Sequence, residues 1–205
     1  MKTAAAQAQQ QRCFSSRLQD TNLAYLKSSQ GNISGKPSCQ VGFPLLEHFS
    51  MMAFTGAIDA LVTANPLSSR PLYRFKTLGL DGPAVASDLG INISVDTSLA
   101  SQMIGELDML IVCGGFRSNL QPTAKLLHRL RQIAAQQVTL GGLWNGSYIL
   151  ARAGLLDGYQ CTIHPENRAG LEICPRVRPP LPYVVDRNRI SCAGHDAGSE
   201  SPFVY

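Results

Sequence analysis

Two apolar runs that break into paired glycines set the frame of this 205-residue chain. The first is "MLIVCGG", residues 109–115, and the second is "VTLGGL", residues 138–143. A continuous apolar run of this length suits a strand buried on both faces, the condition of a central strand in a parallel sheet. The glycines that follow let backbone N–H groups approach a ligand or an oxyanion closely. In open α/β sheets ligands bind beyond the carboxyl ends of the strands. Gly114-Gly115 and Gly141-Gly142 are therefore the first places to look for a site.

The remaining pattern agrees with such a sheet. "CQVGF" from Cys39 reads as a buried strand, and a helix follows over residues 49–64, with Phe54, Ile58 and Leu61 at helical spacing and Asn65-Pro66 as its stop. "LYRFKTLGL", a short segment in "DGPAVASD", and "INISVD" read as strands. Residues 122–136 form an amphipathic helix with Leu126, Leu127, Leu130, Ile133 and Ala134 on one face. "NGSYILARAGLL" is a helix of small residues, and "YVVD" and "RISCAG" are a late pair of strands. Alternating strands and helices predict an α/β sandwich with a mostly parallel sheet flanked by helices.

Charge divides the chain. Residues 1–36 hold five basic side chains and one acidic, and are rich in Gln, Ala and Ser. They read as a disordered basic tail and linker, with the ordered domain at 37–205. That domain carries 13 basic and 13 acidic side chains, so it offers no electrostatic footprint for DNA. The six cysteines show no CxxC spacing, which argues against a zinc knuckle or redox dithiol. We expect free thiols, no metal, no cofactor and a cytoplasmic setting. No segment has the length of a signal-peptide core or a membrane span.

The most informative stretch is "LGGLWNGSYILARAGLLDGYQCTIHPENR", residues 140–168. It moves from strand to turn to helix around Leu143-Trp144-Asn145-Gly146, the build of a nucleophile elbow. The apex is a tryptophan, which has no nucleophilic atom. Ser147 lies deeper in the helix, and Cys161 lies near His164 in sequence. Each supplies an enzyme reading only with a base in reach. Trp144 itself has two readings. It is the wall of a pocket for a cation, or it packs under the following helix. Glu47, Asp59, Glu166 and Tyr148 are candidates for a counter-charge or a further wall. His48 and His128 read as surface residues.

Four segments carry a resemblance. They are "VGFPLLEHFSMMAFTGAIDALVTAN", "GLDGPAVASDLGINISVD", "DMLIVCGG" and the elbow stretch, where "ARAGLLDG" precedes Thr162-Ile163-His164. Over residues 41–194 the chain resembles the amidotransferase-like, ThiJ/PfpI-type sensor domain of GlxA-like AraC-family transcriptional regulators. The resemblance implies a flavodoxin-like fold. It also implies that the Trp144 position is a cysteine in enzymatic relatives, with His164 as its partner and Gly114-Gly115 at the oxyanion hole. It implies a non-catalytic sensor for a quaternary amine or basic amino acid, binding through Trp144, Asn145, His164, Gly114, Gly115, Glu47 and Tyr148. It further implies a homodimer that meets DNA only through a separate helix-turn-helix domain. Nothing in these 205 residues resembles that domain, and "HDAGSESPFVY" departs from the family after "RISCAG". A truncated frame is the expectation. The competing readings are a serine- or cysteine-dependent hydrolase or amidotransferase-like enzyme, using Ser147 or Cys161 with His164, and an inert truncated remnant.

Overall fold

In the computed structural model, residues 39–65, 72–101, 106–164 and 181–193 are described. The expected basic tail (1–36), Pro66, Glu166 and the polar end after residue 193 lie outside them.

The elements run β1 (Cys39–Pro44), α1 (Met51–Ala64), β2 (Tyr73–Gly79), β3 (Ala84–Ala86), β4 (Asn92–Ser94), β5 (Thr97–Ser98) and β6 (Met109–Cys113). Then follow α2 (Ala124–Ala134), β7 (Thr139–Leu143), α3 (Asn145–Arg152), β8 (Tyr183–Asp186) and β9 (Arg189–Cys192). Seven strands form one sheet in the order β5-β2-β1-β6-β7-β9-β8, and β3 and β4 pair as a small separate hairpin. Neighbours in the main sheet are parallel except β8, which runs antiparallel to β9. The α/β sandwich expected from the sequence is therefore the fold.

Residues of β6 show why the run had to be apolar. Leu110 and Val112 enter one core cluster with Leu126, Leu130, Ile133 and Ile149 from α2 and α3. Ile111 and Cys113 enter the other, with Phe54, Ala57 and Leu61 from α1. Successive side chains of a strand point to opposite faces, so the two clusters lie on the two sides of the sheet. The α1 side is closed by aromatic edges, with the Phe54 ring 5.7 Å from Phe43 and 5.3 Å from Phe49.

Helix ends follow local chemistry. The Ser50 side chain accepts from the Ala53 N–H, and Asp88 accepts from Met51 N–H at 3.0 Å, so α1 starts two residues later than its apolar pattern suggests. Thr123 caps α2 through Leu126 N–H at 3.2 Å. Helix α3 stops at Arg152, four residues short of the expected end at Leu156. Gly154 has φ +74, its N–H donates to Ala151 O, and Leu155 N–H donates to Leu150 O. That pair of bonds around a left-handed glycine is a Schellman stop, which the continuing apolar pattern hides. The two-residue strand β5 is too short to leave a periodic signal.

The chain passes from β1 outward to β2 and β5, then returns to build β6, β7 and β9 on the other side of β1. The gap beyond the carboxyl ends of β1 and β6 is thus the switch point where such folds bind ligands. Helix α3 lies almost on the sheet there. A Cβ on Gly146 would fall onto the Val112 carbonyl oxygen, whereas one on Gly56, on the exposed face of α1, would meet nothing within 4 Å. Gly146→Ala is expected to cost about 3 kcal/mol or more by overpacking. Gly56→Ala should gain about 0.5–1 kcal/mol by helix propensity. Urea unfolding midpoints of the two variants against the parent chain check both signs.

Candidate functional site

Strand β7 ends at Leu143 and α3 begins at Asn145, so one residue, Trp144, makes the whole turn. Its backbone sits at φ 52 and ψ −127. A bulky residue at positive φ is strained, by about 1–3 kcal/mol, and persists only where neighbours enforce it. They are identifiable here. Asn145 Nδ2 donates to Gly115 O at 2.7 Å, and the Ser147 hydroxyl donates to Gly142 O at 2.9 Å. Ser147 N–H returns to Trp144 O at 3.1 Å, and Gly114 N–H donates to Leu143 O at 3.1 Å. Asn145 and Ser147 are 2% and 0% exposed, so these bonds are shielded from water.

The side chain of Trp144 is half-buried and lies flat on the ring of His164, with centroids 4.9 Å apart and 11° between planes. His164 is half-buried too. Its segment is held by Thr162, whose N–H donates to Ser191 Oγ and whose hydroxyl donates to Leu181 O, each at 2.9 Å. The elbow and the His164 segment, twenty residues apart along the chain, thus present two stacked rings at the carboxyl edge of the sheet.

The other expected site residues separate. Gly115 N–H donates to Ser118 Oγ at 2.9 Å, and Gly114 N–H is taken by Leu143. Both amides are spent inside the fold. A Cβ on Gly115 would come within 2.5 Å of His48 O, and one on Gly114 within 2.6 Å of Gly146 N, so close packing accounts for both glycines. Tyr148 is 8% exposed and packs in the α2–α3 core cluster. Glu47 is exposed and lines a cavity beside α2 that does not include Trp144. Asp59 is exposed on α1, as are His48 and His128 on the surface.

The nucleophiles of the hydrolase reading are buried. Ser147 is committed to Gly142 O, and Cys161 is 0% exposed within the core. Cys113, next to the glycine pair, is also 0% exposed, and burial pushes its thiol far above the ordinary range, which keeps it neutral and inert. None of the described cysteines, Cys39, Cys113, Cys161 and Cys192, is in a disulfide. Among the described residues, no group of three or more His, Cys, Asp or Glu side chains could hold a metal ion. No described helix is long and apolar enough to cross a membrane. Sequence reasoning passed over Ser118, which fixes the glycine loop, and Phe116, which is 64% exposed next to Gly115. Phe116 had a signal, a large aromatic directly after a glycine pair.

This elbow on a parallel sheet, with a histidine brought to its apex, is matched by a model of the DJ-1/PfpI family over residues 40–200. The chain belongs to the DJ-1/PfpI family. Among curated proteins it is 39% identical over 159 residues to the HTH-type transcriptional regulator GbdR of Pseudomonas aeruginosa, covering 77% of this chain and 43% of that one. It is 31% identical over 157 residues to the HTH-type transcriptional regulator GlxA of Rhizobium meliloti, covering 76% and 48%. The chain thus spans less than half the length of these relatives. A crystal structure of an AraC family transcriptional regulator from Pseudomonas putida superposes with a TM-score of 0.72 at 47% identity, covering 78% of this chain and 85% of that one. Drosophila melanogaster DJ-1beta, at 23% identity and a TM-score of 0.64, shares the fold. The DJ-1/PfpI domain of this chain is of the kind found in AraC-type regulators.

The strain at Trp144 has a measurable sign. At φ 52 and ψ −127, glycine is at ease and alanine is not. Trp144→Gly is therefore expected to be more stable than Trp144→Ala by about 1–2 kcal/mol. Both variants lose the same ring, so urea unfolding of the pair isolates the backbone contribution. Equal stability would mean that the turn is not held as described.

Proposed function

We propose that this domain is the non-catalytic sensor of an AraC-type transcriptional regulator, and that its effector, a quaternary amine or basic amino acid, binds at the Trp144 elbow. The observation that carries this reading is the apex itself. A strained turn of the kind that presents a nucleophile here presents an indole, stacked on the histidine that the family resemblance makes the nucleophile's partner. An indole face within about 6 Å of a cationic nitrogen attracts it by roughly 0.5–2 kcal/mol. Trp144 and His164 then supply aromatic surface, and Asn145 with Gly114 and Gly115 hold the apex in place. Phe116 adds a further ring beside Gly115. The burial of Ser147 and Cys161 supports binding over hydrolysis.

Self-association belongs to the same reading. Met52, Leu89 and Ile91, each more than half exposed, give it an apolar surface at the start of α1 and on the β3–β4 hairpin. DNA contact belongs to a helix-turn-helix unit outside this domain.

The test is thermal unfolding of the 205-residue chain with glycine betaine, carnitine, choline, arginine and other amino acids. A compound that binds only the folded state, at a hundred times its Kd, adds about 2.7 kcal/mol and visibly raises Tm. We expect a rise with one compound class and its loss in Trp144→Ala. No rise with any cation, from a chain that melts cooperatively, would overturn the proposal.

A further inference from the structure

A cavity of about 380 Å³ opens on the α2 side of the switch point and includes neither Trp144 nor His164. That size lies within the range of small-molecule sites, about 300–1,000 Å³. Its walls are Leu46 beyond β1, Leu80 beyond β2, Leu99 beyond β5, Leu126 of α2 and Ile149 of α3. All but Leu80 are buried side chains, so the walls are fixed by the core that they belong to.

Its charged groups are sorted by sign. The strand-end side carries Glu47 and Asp81, both exposed. The helix side carries Lys125 and Arg129, one turn apart on α2. Among the described residues none of the four forms an ion pair. Arg129 is held in place by carbonyl oxygens, with Nε donating to Leu99 O at 2.9 Å and one Nη to Ser101 O at 2.7 Å. Those bonds fix its position and leave its charge uncompensated. The first turn of α2 has no acidic residue to offset the positive end of the helix, and Lys125 adds to it. The acidic groups of the lining thus come from the strand ends, the basic ones from α2, and buried leucine and isoleucine side chains complete the wall.

From this layout we infer a second small-molecule site, specific for linear zwitterions whose cationic and carboxylate ends are separated by an apolar chain. The ammonium end faces Glu47 and Asp81, the carboxylate end faces Lys125 and the fixed Arg129, and the methylene chain lies on the leucine and isoleucine walls. A carboxylate alone or an amine alone satisfies half of the charges and leaves the other half unpaired.

The experiment is an amide NMR titration of the 205-residue chain with 6-aminohexanoate, and separately with hexanoate and hexylamine. The expected result is saturable binding of 6-aminohexanoate, with shifts at Leu126 and Ile149 and none at the Trp144 indole N–H. Hexanoate and hexylamine should each bind at least tenfold more weakly. Glu47→Gln and Lys125→Gln, both at exposed positions that leave the core intact, should each weaken 6-aminohexanoate by about tenfold. Equal binding of all three probes, absence of saturable binding, or shifts centred on the indole would each overturn the inference. Because the indole signal reports the elbow and Ile149 the cavity, failure here is distinct from failure of the elbow proposal.

Discussion

The positive φ of Trp144 is the constraint on which the site depends. Left to itself, a tryptophan would leave that conformation, because its Cβ crowds the backbone there. It is retained because the first turn of α3 is locked from below. Asn145 reaches across to Gly115, Ser147 reaches back to Gly142, and glycines at 114, 142 and 146 let helix and strand backbones come closer than any side chain would allow. Every residue from Asn145 to Ala151 is buried as a result. A helix so deeply seated has no freedom to relax the turn before it, so the strain stays at residue 144 and aims its ring at the sheet edge.

The same lock takes up polar groups that lie close to the turn. Several of them are spent in holding the apex. The amides of Gly114 and Gly115 and the hydroxyl of Ser147 all have partners inside the fold. At the apex the half-buried Trp144 ring lies stacked on His164. Along the same carboxyl edge, on the α2 side, lies a cavity whose four charged groups form no ion pair among the described residues. A sheet whose edge is rigid at one point and open at another suits binding, where a ligand must meet a surface already formed.

Much of the fold was legible because the sheet has to be dry. Strands β6 and β7 are buried on both faces, so their sequences could be little else than apolar runs ending where the chain must turn. Helix α2 was legible from its one apolar face. Capping details shifted its ends, and a Schellman stop at Gly154 ended α3 early. The site was less legible. The elbow could be read from Gly-Gly-Leu-Trp-Asn-Gly, and His164 was placed near it through the family resemblance. Tyr148, one turn beyond Trp144, was expected beside it, but at that point α3 turns its side chain into the core among Ile149 and Leu130. Glu47 was expected as a counter-charge at the elbow, yet β1 delivers it to the α2 cavity. That cavity is assembled from segments far apart in sequence, none with a motif, so no local pattern could announce it.

Trp144 is the only tryptophan in the chain, so its emission reports the elbow with no other indole contributing. The most direct measurement is that emission during titration with glycine betaine, carnitine, choline and arginine, alongside calorimetry on the same samples. A saturable change in intensity or wavelength, with the same Kd as the calorimetric binding, is the result that this account predicts. Binding seen by calorimetry with no change in emission would contradict it, because the ligand would then sit elsewhere and the strained indole would have no part in recognising it.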